Sequence, residues 1–304
     1  MSENKLIIEL VGLRLMQIET ASRAFSDSTV YCYNNTLGLP GTREAVAYFL
    51  AKHLMFPERT DLSFNDALNF VRPEHVAFGA GAASLLSHLA FSLAEEGDAV
   101  LIPAPYYAAF DADVKILAGL ITVPVHSSNP SIGPTPDELE KAATEAEANG
   151  LRVRILLITN PNNPLGTIYP PEMVKSAIHW ARSRKMHTIL DEVYALSAHD
   201  GFESALRTLN NDLGQDVHHV WALSKDFGAS GFRIGTLYSQ NNRLLSSIAN
   251  LNIFSGVSHP MQMIVSEILM VSFLCSFCCL EDTSPSKYLP YLLVRRMTTS
   301  YTHF

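Results

Sequence analysis

Positive charge is the first scarcity. The 304-residue chain carries 22 lysines and arginines against 30 aspartates and glutamates, a net charge of −8. Neutralising nucleic-acid phosphates needs a basic face, so no nucleic-acid partner is expected. Cysteine is scarce too. Three of the four, Cys275, Cys278 and Cys279, crowd into FLCSFCCL with no histidine beside them, and Cys32 stands far away. That spacing suits neither a disulfide framework nor a zinc site, so no metal is expected and a reducing, cytoplasmic setting fits best. Long apolar runs are also missing. The most hydrophobic stretch, 268–280, falls short of the roughly 20 residues that a membrane helix needs. The opening MSENKLIIEL has no basic region leading into an apolar core, so neither a signal peptide nor a membrane partner is expected. Repeats and low-complexity tracts are absent.

What is present is core-forming. Hydrophobic residues make up 47% of the chain and charged residues 17%, enough apolar side chain for one large domain or two modest ones. From about residue 74, apolar strands are predicted at 75–78, 99–103, 120–125, 153–159, 187–190, 219–223 and 235–239. Helical patterns at 85–94, 107–117, 136–148 and 172–183 lie between them. Such alternation predicts an α/β fold with a mainly parallel sheet covered on both faces. Thr135, Pro136 and Glu138 form a capping box, and Asn149-Gly150 closes that helix. Thr42 is read as the start of a further amphipathic helix over 43–55, with Ala45, Val46, Phe49 and Leu50 facing inward.

In sheets of this kind ligands sit beyond the carboxyl ends of the strands, so the polar residues there carry the chemistry. VWALSKDFGASGFRIG (220–235) runs from an apolar strand to Lys225, a glycine-rich turn and Arg233. A lysine at a buried strand end loses its proton readily and attacks a carbonyl as a Schiff-base former; the bland alternative is a polar loop with two solvated cations. GAGAAS (79–84) follows a strand and opens a helix, which makes an anion pocket. It also nearly matches the dinucleotide fingerprint, so a nicotinamide enzyme is a rival, although no acidic residue ends the next strand. Asp191 ends another strand and needs a partner: a protonated heterocyclic nitrogen, a helix N-terminus or an arginine. NPNNPLG (160–166) is a turn whose amides either enter the cleft or close the turn. Tyr106 and Tyr107 either stack on a flat ring or pack in the core. One ligand meets all these demands: flat, phosphorylated, with a basic ring nitrogen and an aldehyde. Pyridoxal 5'-phosphate has all four features.

The blocks NPNNPLGT (160–167), DEVY (191–194) and SKDFGASGFRIG (224–235) resemble the signatures of class I/II aminotransferases, pyridoxal-phosphate enzymes of fold type I. Within that group the pattern is similar to 1-aminocyclopropane-1-carboxylate synthase and its relatives. GDAVLIPAPYYAAFDAD (97–113) and SENKLIIEL (2–10) strengthen that reading, and the likeness runs over roughly residues 2–270. The resemblance implies a large cofactor-binding domain over 41–270, with a mainly parallel seven-stranded sheet in three α/β/α layers. An N-terminal segment, 1–40, would precede it, and an atypical tail, 271–304, would stand where most of the small domain is missing. It implies an enzyme of amino acid metabolism acting on an α-amino acid through a Lys225 aldimine, by transamination. The alternatives are a synthase-type lyase or a catalytically inactive protein of the same fold.

Carried over by position, Lys225 is the Schiff-base lysine and base, and Asp191 pairs with the ring nitrogen. Asn163 and Tyr194 bind the ring oxygen, and Tyr107 stacks on the ring. Gly81, Ala82, Ala83 and Arg233 hold the phosphate, and Glu3 lies near the substrate. A homodimer is also implied. Three positions depart from the family's pattern: Ala222 replaces a serine, Ala83 a threonine, and Thr36 a tyrosine that reaches the other subunit's phosphate. Ser84 or Ser224 is expected to compensate. Residues 271–280 break the pattern and 281–304 partly regain it, which suggests an unspliced insert and an early stop in the gene model.

Overall fold

The computed structural model describes residues 28–197 and 201–278, with side chains as far as residue 270. Glu3, most of the N-terminal segment and the tail from 279 lie outside the described residues.

Seven strands form one sheet: β1 (Val76–Gly79), β2 (Ala99–Ala104), β3 (Ile121–His126), β4 (Val153–Thr159), β5 (His187–Asp191), β6 (Val217–Ala222) and β7 (Gly235–Ser239). Their order is β1-β7-β6-β5-β4-β2-β3. Only β7 runs against its neighbours, pairing antiparallel with β1 and β6. The other pairings are parallel. The predicted strands are all found, with ends moved by a residue or two; β6 stops at Ala222 because Leu223 already begins a helix.

The strands were legible because both faces of the sheet are covered, which turns each central strand into a nearly continuous apolar run. Alternation along β4 shows it. Leu156 and Ile158 point to one core, whereas Ile155 and Leu157 point to the other. The first core takes α1 (Pro40–Leu50), α5 (Pro136–Ala148), α6 (Pro171–Ser183) and α10 (His259–Cys278). The second takes α3 (Ala82–Leu93), α4 (Phe110–Lys115) and α9 (Asn242–Ser255). Three shorter α-helices are also described: α2 (Phe64–Phe70), α7 (Ala205–Thr208) and α8 (Leu223–Asp226). Each fully buried leucine in these layers contributes about 1.5–3 kcal/mol.

The capping box at Thr135 forms, with the Thr135 hydroxyl accepting from the Glu138 N–H and the Glu138 carboxylate reaching back. Thr42 behaves differently from its reading. Helix α1 starts two residues earlier, at Pro40, and Thr42 is buried inside it, donating to the Gln262 carbonyl at 3.2 Å. Gln262 Oε1 also accepts from the Leu39 N–H at 2.7 Å, so a glutamine from α10 does the work a capping side chain would do. Among the described residues no helix is long and apolar enough to cross a membrane.

Candidate active site

Sheet register gathers the chemistry at one edge. Thr159 pairs with Asp191, Asp191 with Val220, Ala222 with Gly235, and Gly235 with Gly79, so four strand ends and the start of β7 form one rim. Gly235 is required by that closeness. A Cβ there would come within 2.6 Å of the Gly81 carbonyl carbon and 2.8 Å of its oxygen. Backbone therefore meets backbone where the loop after β1 approaches β7.

That loop makes the anion pocket. Gly81 has φ +92°, which favours glycine, and it precedes α3 without offering a capping side chain. The first-turn N–H groups at Ala82, Ala83 and Ser84 are thus left for a ligand, with the helix dipole behind them. The Gly81 N–H itself bonds the Gly79 carbonyl at 2.7 Å, so Gly81 contributes shape rather than a donor. Arg233 lies across this loop. Its guanidinium donates to the Ala80 carbonyl at 3.1 Å and the Ser230 carbonyl at 3.2 Å. Those two bonds leave other donors of its fork for an anion. Ala83 is exposed and Ala222 buried, and neither carries a hydroxyl; Ser224 is half-buried on α8. The Ser84 hydroxyl is buried with no hydrogen-bond partner.

The opposite side is built from side chains. Asp191 is buried, and its carboxylate receives only two long hydrogen bonds, from Thr159 Oγ1 and the Val193 N–H, both at 3.4 Å. No arginine or lysine pairs with it among the described residues. Burial pushes this carboxyl up to about 7, against the weaker opposing pull of those hydrogen bonds and of His219. A carboxylate this poorly compensated is complementary to a cation delivered by a ligand.

The asparagine turn divides its labour. Asn160 and Asn162 close it: Asn160 Oδ1 accepts from the Tyr169 N–H at 2.8 Å, and Asn162 Nδ2 donates to the Tyr169 hydroxyl at 2.9 Å. Asn163 turns the other way and donates to the Tyr194 hydroxyl at 3.1 Å. Lys225 Nζ stands 5.7 Å from the centre of the Tyr194 ring. Lys225 is not at the strand end, as the sequence suggested. It sits on α8, three residues past β6, and its side chain is exposed rather than buried. The two tyrosines after β2 also separate. Tyr106 donates to Asp111 at 3.0 Å and packs against the second core, while Tyr107 keeps 46% of its surface open, edge-on to Phe110.

The match to known proteins follows this geometry. The family model for aminotransferase class I and II matches residues 13–276. The chain belongs to that family. Among relatives of this aminotransferase-family chain, human probable inactive 1-aminocyclopropane-1-carboxylate synthase-like protein 2 is 34% identical over 84% of the chain and 44% of its own length. The rice (Oryza sativa subsp. indica) 1-aminocyclopropane-1-carboxylate synthase 1 is 35% identical over 76% of the chain and 48% of its own length. The chain thus spans about half the length of the curated relatives it matches. The aspartate aminotransferase of Rhizobium meliloti superposes with a TM-score of 0.72 at 19% identity, covering 94% of this chain and 63% of that one. A Thermus thermophilus aspartate aminotransferase gives 0.70 at 22%, over 93% and 64%. These structures share the fold. The nicotinamide rival falls here, since β1 lies at a sheet edge beside an antiparallel strand instead of at the centre of a dinucleotide-binding sheet.

Sequence reasoning missed the polar residues under this rim. Glu192 is buried and accepts from Ser204 Oγ at 2.5 Å and the Ala205 N–H at 2.8 Å, with His219 Nε2 at 3.0 Å. Asp226, also buried, gathers Trp221 and the turn after β5. Their only signal was adjacency, Glu192 following Asp191 and Asp226 following Lys225.

Proposed function

We propose that the chain is a pyridoxal-phosphate enzyme acting on an α-amino acid, with aminotransferase-type chemistry at Lys225. The observation that carries this reading is Asp191: a buried, cation-less carboxylate on the same rim as an anion pocket and an exposed lysine. The residues present suit the cofactor at both ends. Asp191 would hold a proton on the ring nitrogen, and Asn163 with Tyr194 would bind the ring oxygen. Tyr107 would cover one ring face, and the N–H groups of 82–84 with Arg233 would take the phosphate. When bound, the cofactor supplies an electron sink for negative charge at the substrate α-carbon. The chain's own part would be to orient that carbon and move its proton, with Lys225 Nζ accepting and returning it.

A second reading, a cofactor-binding protein without turnover, draws support from Ala83 and Ala222. Each missing hydroxyl removes a charged hydrogen bond worth about 1.5–3 kcal/mol. A synthase-type lyase uses the same groups and differs in how the substrate is held. Exposed Tyr33, Ile253 and Phe254 support assembly as a homodimer, and the few, unspaced cysteines of the sequence support a reducing compartment such as the cytoplasm. The domain assigned to 41–270 is the part that would carry the cofactor.

Mixing the protein with pyridoxal phosphate tests the proposal. A visible absorbance band should grow, borohydride should fix the cofactor's mass on the Lys225 peptide, and Lys225→Ala should show neither. No band with the unaltered chain would sink the proposal. A band without turnover across a panel of amino acids would select the second reading.

A further inference from the structure

The side chain next to the lysine is the most heavily engaged carboxylate in the described structure. Asp226 is 5% exposed and accepts four hydrogen bonds. Its Oδ1 takes the Ser197 N–H at 2.9 Å and the Ser197 hydroxyl at 2.6 Å; its Oδ2 takes the Leu196 N–H at 3.1 Å and Trp221 Nε1 at 2.8 Å. Two donors on each oxygen nearly fill what an ionised carboxylate can accept.

These partners lie on two different elements. Trp221 is fully buried in β6 and packs on Phe49 and Phe227, with ring centres 4.9 and 6.0 Å away. Leu196 and Ser197 end the turn that carries Tyr194. The start of that turn is held by Asp191, through the Val193 N–H. Helix α8 has only four residues and cannot hold itself in place with its own hydrogen bonds. Lys225 is exposed on a flexible four-carbon stem, so the fold can set only where its backbone stands.

We propose that Asp226 is a positioning residue: its carboxylate ties the helix carrying Lys225 to the turn carrying Tyr194, and so sets where the Lys225 amine stands over the ring site. The inference rests on the pyridoxal-phosphate reading. It separates two quantities that a general loss of structure would change together. Cofactor affinity without the covalent bond depends on Asp191, Asn163 and the anion pocket. The rate at which Lys225 attaches depends on the alignment that Asp226 maintains.

The test uses the full chain with Asp226→Asn, Asp226→Ala and Ser197→Ala. Non-covalent affinity for pyridoxal phosphate is measured by dialysis with Lys225→Ala added, and should be unchanged by the Asp226 substitutions. Attachment, followed by absorbance and by borohydride trapping, should slow about tenfold or more in both Asp226 variants and less in Ser197→Ala, as expected for a misplaced nucleophile. Hydrogen exchange at the Leu196 and Ser197 amides should speed up in the same order. Attachment at the unaltered rate in both Asp226 variants would overturn the proposal and leave the cofactor reading standing. Affinity falling in proportion to attachment would also overturn it, because that marks structural collapse. No attachment in the unaltered chain would overturn the cofactor reading and this inference with it.

Discussion

The two ends of the rim are held by different physics. At the Asp191 end, buried side chains brace one another: Asp191 holds one end of the 192–197 turn, Asp226 the other, and Glu192 binds Ser204, Ala205 and His219 beneath it. At the Gly81 end, backbone does most of the work, with an exposed Arg233 as the charged side chain there among the described residues. The departures from the family's pattern, Ala83, Ala222 and Thr36, would all bear on the second end if the positions keep the roles that the resemblance implies. A site made from backbone amides keeps its form when a neighbouring hydroxyl is lost. A buried carboxylate network does not, since one missing partner strands a charge.

The largest expected effect breaks the braced end. Asp191→Asn should lower turnover by about a hundredfold or more, measured as kcat/KM on whichever amino acid proves active. The same change should alter the cofactor-free protein in the opposite sense. Burial raises Asp191 from 3.8 to about 7. The folded chain therefore binds an extra proton between those values, and the stability tied to that proton is full below about 4 and lost as pH rises through about 7. Urea midpoints for the cofactor-free chain should fall from pH 5 to pH 8, and Asp191→Asn should flatten that slope.

Next in size is Gly235→Ala, which forces a methyl into the Gly81 carbonyl and should cost about 2 kcal/mol, seen as a lower Tm and weaker cofactor binding together. Arg233→Lys keeps the charge but loses the planar fork. It should weaken binding of pyridoxal phosphate about tenfold, with little change in Tm. The smallest effect is a gain. Ala83→Thr restores a hydroxyl at an exposed first-turn position and should tighten binding by a few-fold, on the order of 1 kcal/mol. Equal sensitivity of the two ends to loss of one hydrogen bond would erase the contrast between them.

The same contrast explains what could be read in advance. Strands β2, β4, β5 and β6 announced themselves because a sheet covered on both faces needs unbroken apolar runs. Asp191 was legible because it ends β5, and Lys225 and Asn163 because each follows a strand by three or four residues. Thr42 misled because threonine before an apolar stripe is a common capping signal, whereas Pro40 had already begun α1 and Gln262, far along the chain, supplied the cap. Asp226 and Glu192 were not singled out by any local pattern. Only folding brings Trp221, Ser197, Ser204 and His219 to them, and no local pattern records that meeting.

The antiparallel strand has a consequence in time. Among the described strands β1 is made first on the ribosome, yet its neighbour in the sheet is β7, the last of them to emerge. Until residue 239 has left the exit tunnel, the loop at Gly81 lacks the β7 backbone it packs against, although the Phe78 N–H before it can already bond the Leu37 carbonyl. His219 and Asp226, on the carboxylate side, emerge only shortly before β7, so both sides of the rim, the anion pocket included, close late, when both ends of the sheet have been synthesised.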